Sequence, residues 1–230
     1  MRPITLLPGL ACDAEIWEDQ ARTLAPRRPV HISDVHTRYA TLPEMAAAVL
    51  AEQPGELLLC GTSMGGMLAL EVLRQAPQRV KALALLASSA RPDTPELIDL
   101  RNAAIPLFEQ GRMHEVLEPN AALALDPAHV PALTGRYLAM MERAGAAQLV
   151  AQNRAIMARA DQRPWLPHIA CPTLVVAGSS DQLLPPEQSL EMAALIPGAR
   201  LEILSRCGHL LTWEQPDAVN ALLMDWLATL

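Results

Sequence analysis

The chain has 230 residues, 51% of them apolar and 19% charged, which is enough to bury a core and lies outside the composition of disordered chains. The 25 Asp and Glu outnumber the 18 Lys and Arg, for a formal charge of −7, so an acidic chain without a basic stripe argues against nucleic acid or an anionic membrane as partner. Aromatic residues make up only 3%, leaving Leu, Ala, Met and Val to fill the interior.

In chain order, residues 3–9 (PITLLPG) are a short apolar run closed by a turn signal, expected as a strand. A helical pattern over 14–25 follows, then a strand over 29–35 (PVHISDV) and a helix over 42–52. Residues 56–61 (ELLLCG) form the third expected strand, 64–76 a helix and 80–88 (VKALALLAS) the fourth strand. The fifth and sixth strands are expected at 172–178 (PTLVVAG) and 200–205 (RLEILS), with a helix over 187–195 between them. A last helix over 215–228 carries Val219, Leu222, Leu223, Trp226 and Leu227 at helical spacing, the core-facing stripe of an amphipathic helix. Continuous apolar runs suit strands buried on both faces of a parallel sheet. Their alternation with helices predicts a three-layer α/β fold of about six strands.

One stretch interrupts this alternation. Residues 94–164 contain no strand run, but place Leu97, Leu100 and Ala104, and later Leu138, Met141, Leu149 and Ala155, at helical spacings. Several short helices are expected there, punctuated by Pro92, Pro95 and Pro164. The chain therefore divides into a core of 1–93 and 165–230 and a helical insert of 94–164. The insert is either a lid over a site or a subdomain that merely packs.

The most apolar stretch, 56–70, is broken by glycines and hydroxyls and falls short of the ~18–20 apolar residues that span a bilayer. Arg2 followed by ITLLPGLAC loosely resembles a secreted lipoprotein leader, but Pro8 and Gly9 interrupt its apolar part and a leader is not expected. Cys12, Cys60, Cys171 and Cys207 lie far apart and form no C-x-x-C pair, so neither a zinc ribbon nor a thioredoxin motif is present. Free thiols in a cytoplasmic protein are expected, with no metal and no cofactor.

Residues 61–66 read GTSMGG, so Gly61, Ser63 and Gly65 form G-x-S-x-G between an apolar strand and an apolar helix. That context is what a nucleophile elbow requires. A strand turning sharply into a helix strains the residue at the turn, and its neighbours two positions away must lack side chains. The Ser63 hydroxyl is thereby pushed outward, with helix N-terminal amides behind it. A plain Gly-rich turn is the bland alternative.

A serine hydroxyl needs a base. Of six histidines, only His209 follows the last strand in SRCGHLLTWEQP, with Gly208 freeing the loop to bend; the others fall in a middle strand, in the insert or before the fifth strand. The imidazole in turn needs a carboxylate. Asp181, in VVAGSSDQLLPP, follows the fifth strand and precedes His209 by one helix and one strand. It could equally serve as a turn or cap residue, and Asp161 or Glu214 could take its place. All three candidates, Ser63, Asp181 and His209, lie just past the carboxyl ends of strands, where α/β sheets place their sites. The amides of Met64 and of Leu10, in the LLPGLACD turn, are the expected oxyanion donors. Leu210 and the Met-rich insert are candidates for an apolar pocket, and ordinary core filling accounts for them equally well. A Cys nucleophile at Cys60 or Cys207 fits poorly, since Cys60 lies within a strand and Cys207 has no second His partner.

On LLPG, Trp17, GTSMGG, APQRV, GSSDQLLP and CGHLLTWEQP the chain resembles the α/β-hydrolase superfamily over nearly its whole length, and most of all its small bacterial esterases and enol-lactonases. In many such relatives the first turn begins His-Gly; here it is Pro8-Gly9, which removes a side chain that often braces the loop. The resemblance implies a metal-free serine hydrolase with a small-molecule ester substrate. Lactone, thioester or C–C cleavage is possible on the same residues, and a non-catalytic binding member of the fold is the alternative from another class. A Ser nucleophile argues against the dehalogenase and epoxide hydrolase chemistry of the superfamily.

Overall fold

The computed structural model describes residues 2–230. Its centre is one six-stranded sheet in the order β2-β1-β3-β4-β5-β6, with every neighbouring pair parallel. The strands are β1 (Ile4–Leu7), β2 (Val30–Ile32), β3 (Leu57–Thr62), β4 (Val80–Leu86), β5 (Thr173–Gly178) and β6 (Arg200–Leu204). All six lie within the runs expected from sequence, apart from the single residue Thr62 at the end of β3. β1, β3 and β5 are buried at every position, and β4 at all but Lys81. The edge strands depart from the expectation of two buried faces. β2 is half-buried, which puts His31 on an edge strand rather than a middle one, and β6 exposes Arg200 and Ile203. An edge strand has one neighbour only and tolerates the charges of RLEIL.

Alternate residues of each central strand feed separate cores. On one face, Ile4, Leu6, Leu58, Cys60, Ala84 and Val176 pack with Trp17, α1 (Glu18–Leu24) and α9 (Pro216–Ala228). On the other, Leu7, Leu59, Leu83, Leu85 and Val175 pack with α2 (Leu42–Glu52), α3 (Met64–Gln75) and α7 (Pro186–Leu195). Thr41 starts α2 with a capping box to Glu44. A short helix, α8 (Leu211–Glu214), precedes α9 and has no counterpart among the expected elements.

Between β4 and β5 lie α4 (Pro95–Glu109), α5 (His114–Ala124) and α6 (Val130–Met157). As the expectation of several short helices had it, the 28-residue span of α6 is two helices joined at Gly145, where φ is 78° and ψ is 167°. Glycine adopts that backbone without steric cost, so one long apolar-striped stretch continues across a kink. Ile105, Phe108, Leu117, Met140 and Leu149 of these helices extend the first core rather than enclosing one of their own. At the junction, Asp93 is buried between Arg101, at 2.6 Å, and Arg159, at 2.9 Å. The Arg159 guanidinium also donates to the Arg91 carbonyl.

Parallel strands put all carboxyl-end loops on one edge of the sheet. Loops 8–13, 63–64, 87–91, 179–185 and 205–210 therefore share that edge. Among the described residues no helix is long and apolar enough to cross a membrane.

Asp93→Asn should leave the buried Arg159 guanidinium and the partly buried one of Arg101 without their carboxylate, and unfolding in urea should show a loss of about 3 kcal/mol; an unchanged midpoint would mean the junction does not depend on these pairs.

Candidate active site

Ser63 occupies the turn between β3 and α3 with φ 53° and ψ −120°, a positive φ that is rare for a residue bearing a side chain. The reason is crowding. A Cβ on Gly61 would run into the backbone of Gly65, and one on Gly65 would run into the Leu7 carbonyl. A Cβ on Gly66 would strike the Ser88 side chain. The turn is pinned by Ser63 N–H donating to the Leu86 carbonyl at 2.9 Å and by Ser88 Oγ donating to the Ser63 carbonyl at 2.8 Å. Such fixing is what lets strain of about 1–3 kcal/mol persist.

Loop 8–13 lies against this turn. A Cβ on Gly9 would come within 3.2 Å of Ser63 Cβ, so the backbone that leads into Leu10 passes beside the serine. Among the described residues the N–H groups of Leu10 and Met64 have no backbone acceptor; that of Met64 is a first-turn amide of α3, where helices leave donors free.

Asp181 and His209 meet across adjacent loops. His209 Nδ1 and Asp181 Oδ2 are 2.7 Å apart, and both side chains are buried. The other oxygen, Oδ1, accepts the N–H groups of Leu183 and Leu184, each at 2.9 Å. The turn-residue and ion-partner readings of Asp181 thus coexist, one on each oxygen. A Cβ on Gly178 would overlap the carbonyls of Cys207 and Gly208, so the exit of β5 presses on the histidine loop. Burial disfavours the imidazolium, but the charge of Asp181, its hydrogen bond and the nearby Glu214 carboxylate outweigh it, and the His209 pKa lies above the ordinary imidazole value. Among the described residues, neither His209 Nε2 nor Ser63 Oγ hydrogen-bonds to protein, so the two are not joined directly here. Catalytic hydrogen bonds often tighten only in the substrate complex.

Glu214 does not pair with His209. Its fully buried carboxylate accepts the N–H groups of Gly208 and Asp126 at 2.9 Å and of Leu210 at 3.1 Å, and lies 3.0 Å from His129 Nδ1. It therefore organises the backbone around the imidazole, a role not foreseen from sequence. Its position just ahead of Pro216 and α9 was the available signal. The insert joins in. The Ala124 carbonyl, at the end of α5, accepts the His209 N–H at 2.6 Å, and Asp126 accepts from Ser180 Oγ at 2.6 Å. Asp161 is half-exposed and bound to Arg163 at 2.7 Å. Leu210 is buried in the first core. Burial pushes the Cys60 and Cys207 thiols up, away from the thiolate a nucleophile needs.

Two surface clefts, of about 340 and 400 Å³, lie near Leu73 and Cys171 and near Arg74 and Trp165, and include none of Ser63, Asp181 and His209. Among the described residues no three His, Cys, Asp or Glu side chains group as a metal site.

The model of the alpha/beta hydrolase fold family matches residues 2–216. The chain belongs to that family. This α/β hydrolase is 27% identical over 224 residues to a pimeloyl-[acyl-carrier protein] methyl ester esterase of Nitrosomonas europaea, covering 90% of this chain and 88% of that one. A thermophilic esterase from Thermogutta terrifontis superposes with a TM-score of 0.90 at 26% identity, over 100% of this chain and 90% of the other. The enol-lactonase of Burkholderia xenovorans LB400 shares the fold, with a TM-score of 0.88 at 24% identity over 99% and 91% of the two chains. The α/β hydrolase described here is an enzyme, as its relatives are.

Glu214→Gln should place an NH₂ group against amides that now meet a carboxylate. The expected loss is about 1.5–3 kcal/mol in urea unfolding, together with a lower kcat. Wild-type values of both would show that the histidine loop holds itself.

Proposed function

We propose that the enzyme hydrolyses carboxylic esters of small or medium aliphatic acids through an acyl-enzyme on Ser63. The observation that carries this reading is the buried 2.7 Å contact between Asp181 and His209 on the sheet edge that also bears the strained Ser63. Asp181 accepts a hydrogen bond from Nδ1–H and holds the imidazole in the tautomer whose Nε2 is a base. His209 takes the Ser63 proton as Oγ attacks the ester carbonyl. The oxyanion that forms is met by the N–H groups of Met64 and Leu10, which need no reorganisation because the elbow and the loop hold them. His209 then gives its proton to the leaving alcohol. Water, activated by the same imidazole, releases the acid and restores Ser63.

The Nitrosomonas relative is named for an ester borne by a carrier protein. A free small ester is favoured here by the charge of the insert. All seven arginines of residues 94–164 are already engaged: Arg101, Arg112, Arg136, Arg143, Arg154, Arg159 and Arg163 each pair with a carboxylate. That leaves no unpaired arginine on the insert to receive an anionic protein surface. Lactones and thioesters would follow the same steps, and an ester library with lactones included separates them.

Ser63→Ala should abolish turnover of p-nitrophenyl esters and labelling by a fluorophosphonate while leaving the unfolding midpoint near that of wild type. Asp181→Asn should lower kcat by roughly 10⁴-fold. Turnover near wild type in either variant contradicts the assignment. Since His209 must be neutral to accept a proton and its pKa is raised, kcat/KM should fall on acidification with a midpoint above about 6.5, the ordinary imidazole value. A midpoint at or below that value would place the limiting group elsewhere.

A further inference from the structure

Loop 8–13 has little of its own to hold it. Pro8 has neither an N–H nor a polar side chain, and Gly9 and Leu10 bring no hydrogen-bonding side chain. Residues 9–12 close a four-residue turn in which Cys12 N–H donates to the Gly9 carbonyl at 3.2 Å. Ala11, third in the turn, has a φ of 53°, whereas Leu10 is not in the positive region. This is the pattern of a type II turn, in which glycine or asparagine normally stands where Ala11 does. The alternative, type I, would free Ala11 of its strain by flipping the peptide between Leu10 and Ala11. Something must oppose that flip.

Besides Cys12 Sγ, which donates to the Leu10 carbonyl at 3.4 Å, the opposing contacts come from far along the chain. Gln152, on α6 and fully buried, accepts the Ala11 N–H on Oε1 at 2.6 Å and donates from Nε2 to the His36 carbonyl at 2.9 Å. The His36 ring in turn donates from Nε2 to the Cys12 carbonyl at 2.8 Å. That bond requires the proton on Nε2, and burial holds the His36 pKa below the ordinary value, which keeps the ring neutral. The flipped peptide would turn the Ala11 N–H away from Gln152 and leave a buried amide oxygen unpaired, a cost that outweighs the relief of one strained φ.

We propose that Gln152 is a positioning residue for the oxyanion loop: with His36 it pins the Ala11 N–H and the Cys12 carbonyl on the far side of the turn, and so holds the whole turn, whose Gly9–Leu10 peptide carries the Leu10 N–H, seated beside Ser63. The inference rests on the reading of Leu10 and Met64 as oxyanion donors. It makes the insert part of the catalytic architecture, since one of its helices sets the geometry of a loop 141 residues away in sequence.

The test compares Gln152→Met, which removes both bonds at similar volume, with Gln152→Met/Ala11→Gly, in which glycine holds the positive φ unaided. Active sites are first counted with a fluorophosphonate. Per labelled site, Gln152→Met should lose roughly 10- to 100-fold in kcat, less than or comparable to the loss of an oxyanion donor, with KM within about threefold of wild type. The double variant should recover most of that loss. A trifluoromethyl ketone adduct followed by ¹³C NMR should ionise about one pH unit higher for each tenfold lost. Wild-type kcat in Gln152→Met, or a loss that Ala11→Gly does not repair, overturns the proposal. If Gln152→Met does not fold, His36→Leu against His36→Gln decides it: kcat should fall in the first and return in the second, and equal kcat in both overturns it. A wild-type enzyme that fluorophosphonate leaves unlabelled would instead sink the reading of Ser63 on which this one rests.

Discussion

The turn at Ser63 has no room for a side chain at the glycines on either side of it. Backbone from β1, β3 and α3 converges there so closely that glycine is required at 61 and 65, and the Ser88 side chain requires it at 66. Because the surrounding hydrogen bonds over-determine the turn, the serine keeps a backbone conformation it would not choose alone. The close approach also brings loop 8–13 against the serine.

Around that turn the structure spends two buried carboxylates in different ways. A carboxylate removed from water is costly unless its oxygens are fully occupied. Asp181 divides its oxygens between its own loop and an imidazole. Glu214 gives both to backbone amides, and its Oε2 meets His129 as well. The first sets the state of a side chain and the second the path of a chain. Neither could exchange places with the other, because each is surrounded by donors of a different kind.

The helices between β4 and β5 are bound to this edge in several places. The end of α5 accepts the His209 amide, Asp126 reaches Ser180, and α6 reaches Ala11. Further out, Arg136 and Arg143 tie α6 to Glu15 and Asp13, and Arg136 lies 4.1 Å from the centre of the Trp213 ring. These contacts, and a core continuous with that of the sheet, fix these helices to the sheet edge over much of their length. Gly145 marks the one interruption in α6.

Local patterns were enough to read the strands and most of the helices, because a parallel sheet needs uninterrupted apolar runs and its helices need a stripe, and both are properties of neighbouring residues. The same holds for G-x-S-x-G, whose glycines answer a steric demand within six positions. The pairing of Asp181 with His209 could be anticipated because topology alone sends both loops to one edge. The edge strands read less well: how many neighbours a strand has is decided by the whole sheet, not by its own residues. Gln152 and His36 carry no local mark, and Glu214 only its place ahead of Pro216 and α9. A glutamate before a proline, a glutamine on a helix and a histidine in a loop are ordinary in sequence. They acquire their partners only when segments up to 141 residues apart are packed together and the backbone amides between them must find acceptors.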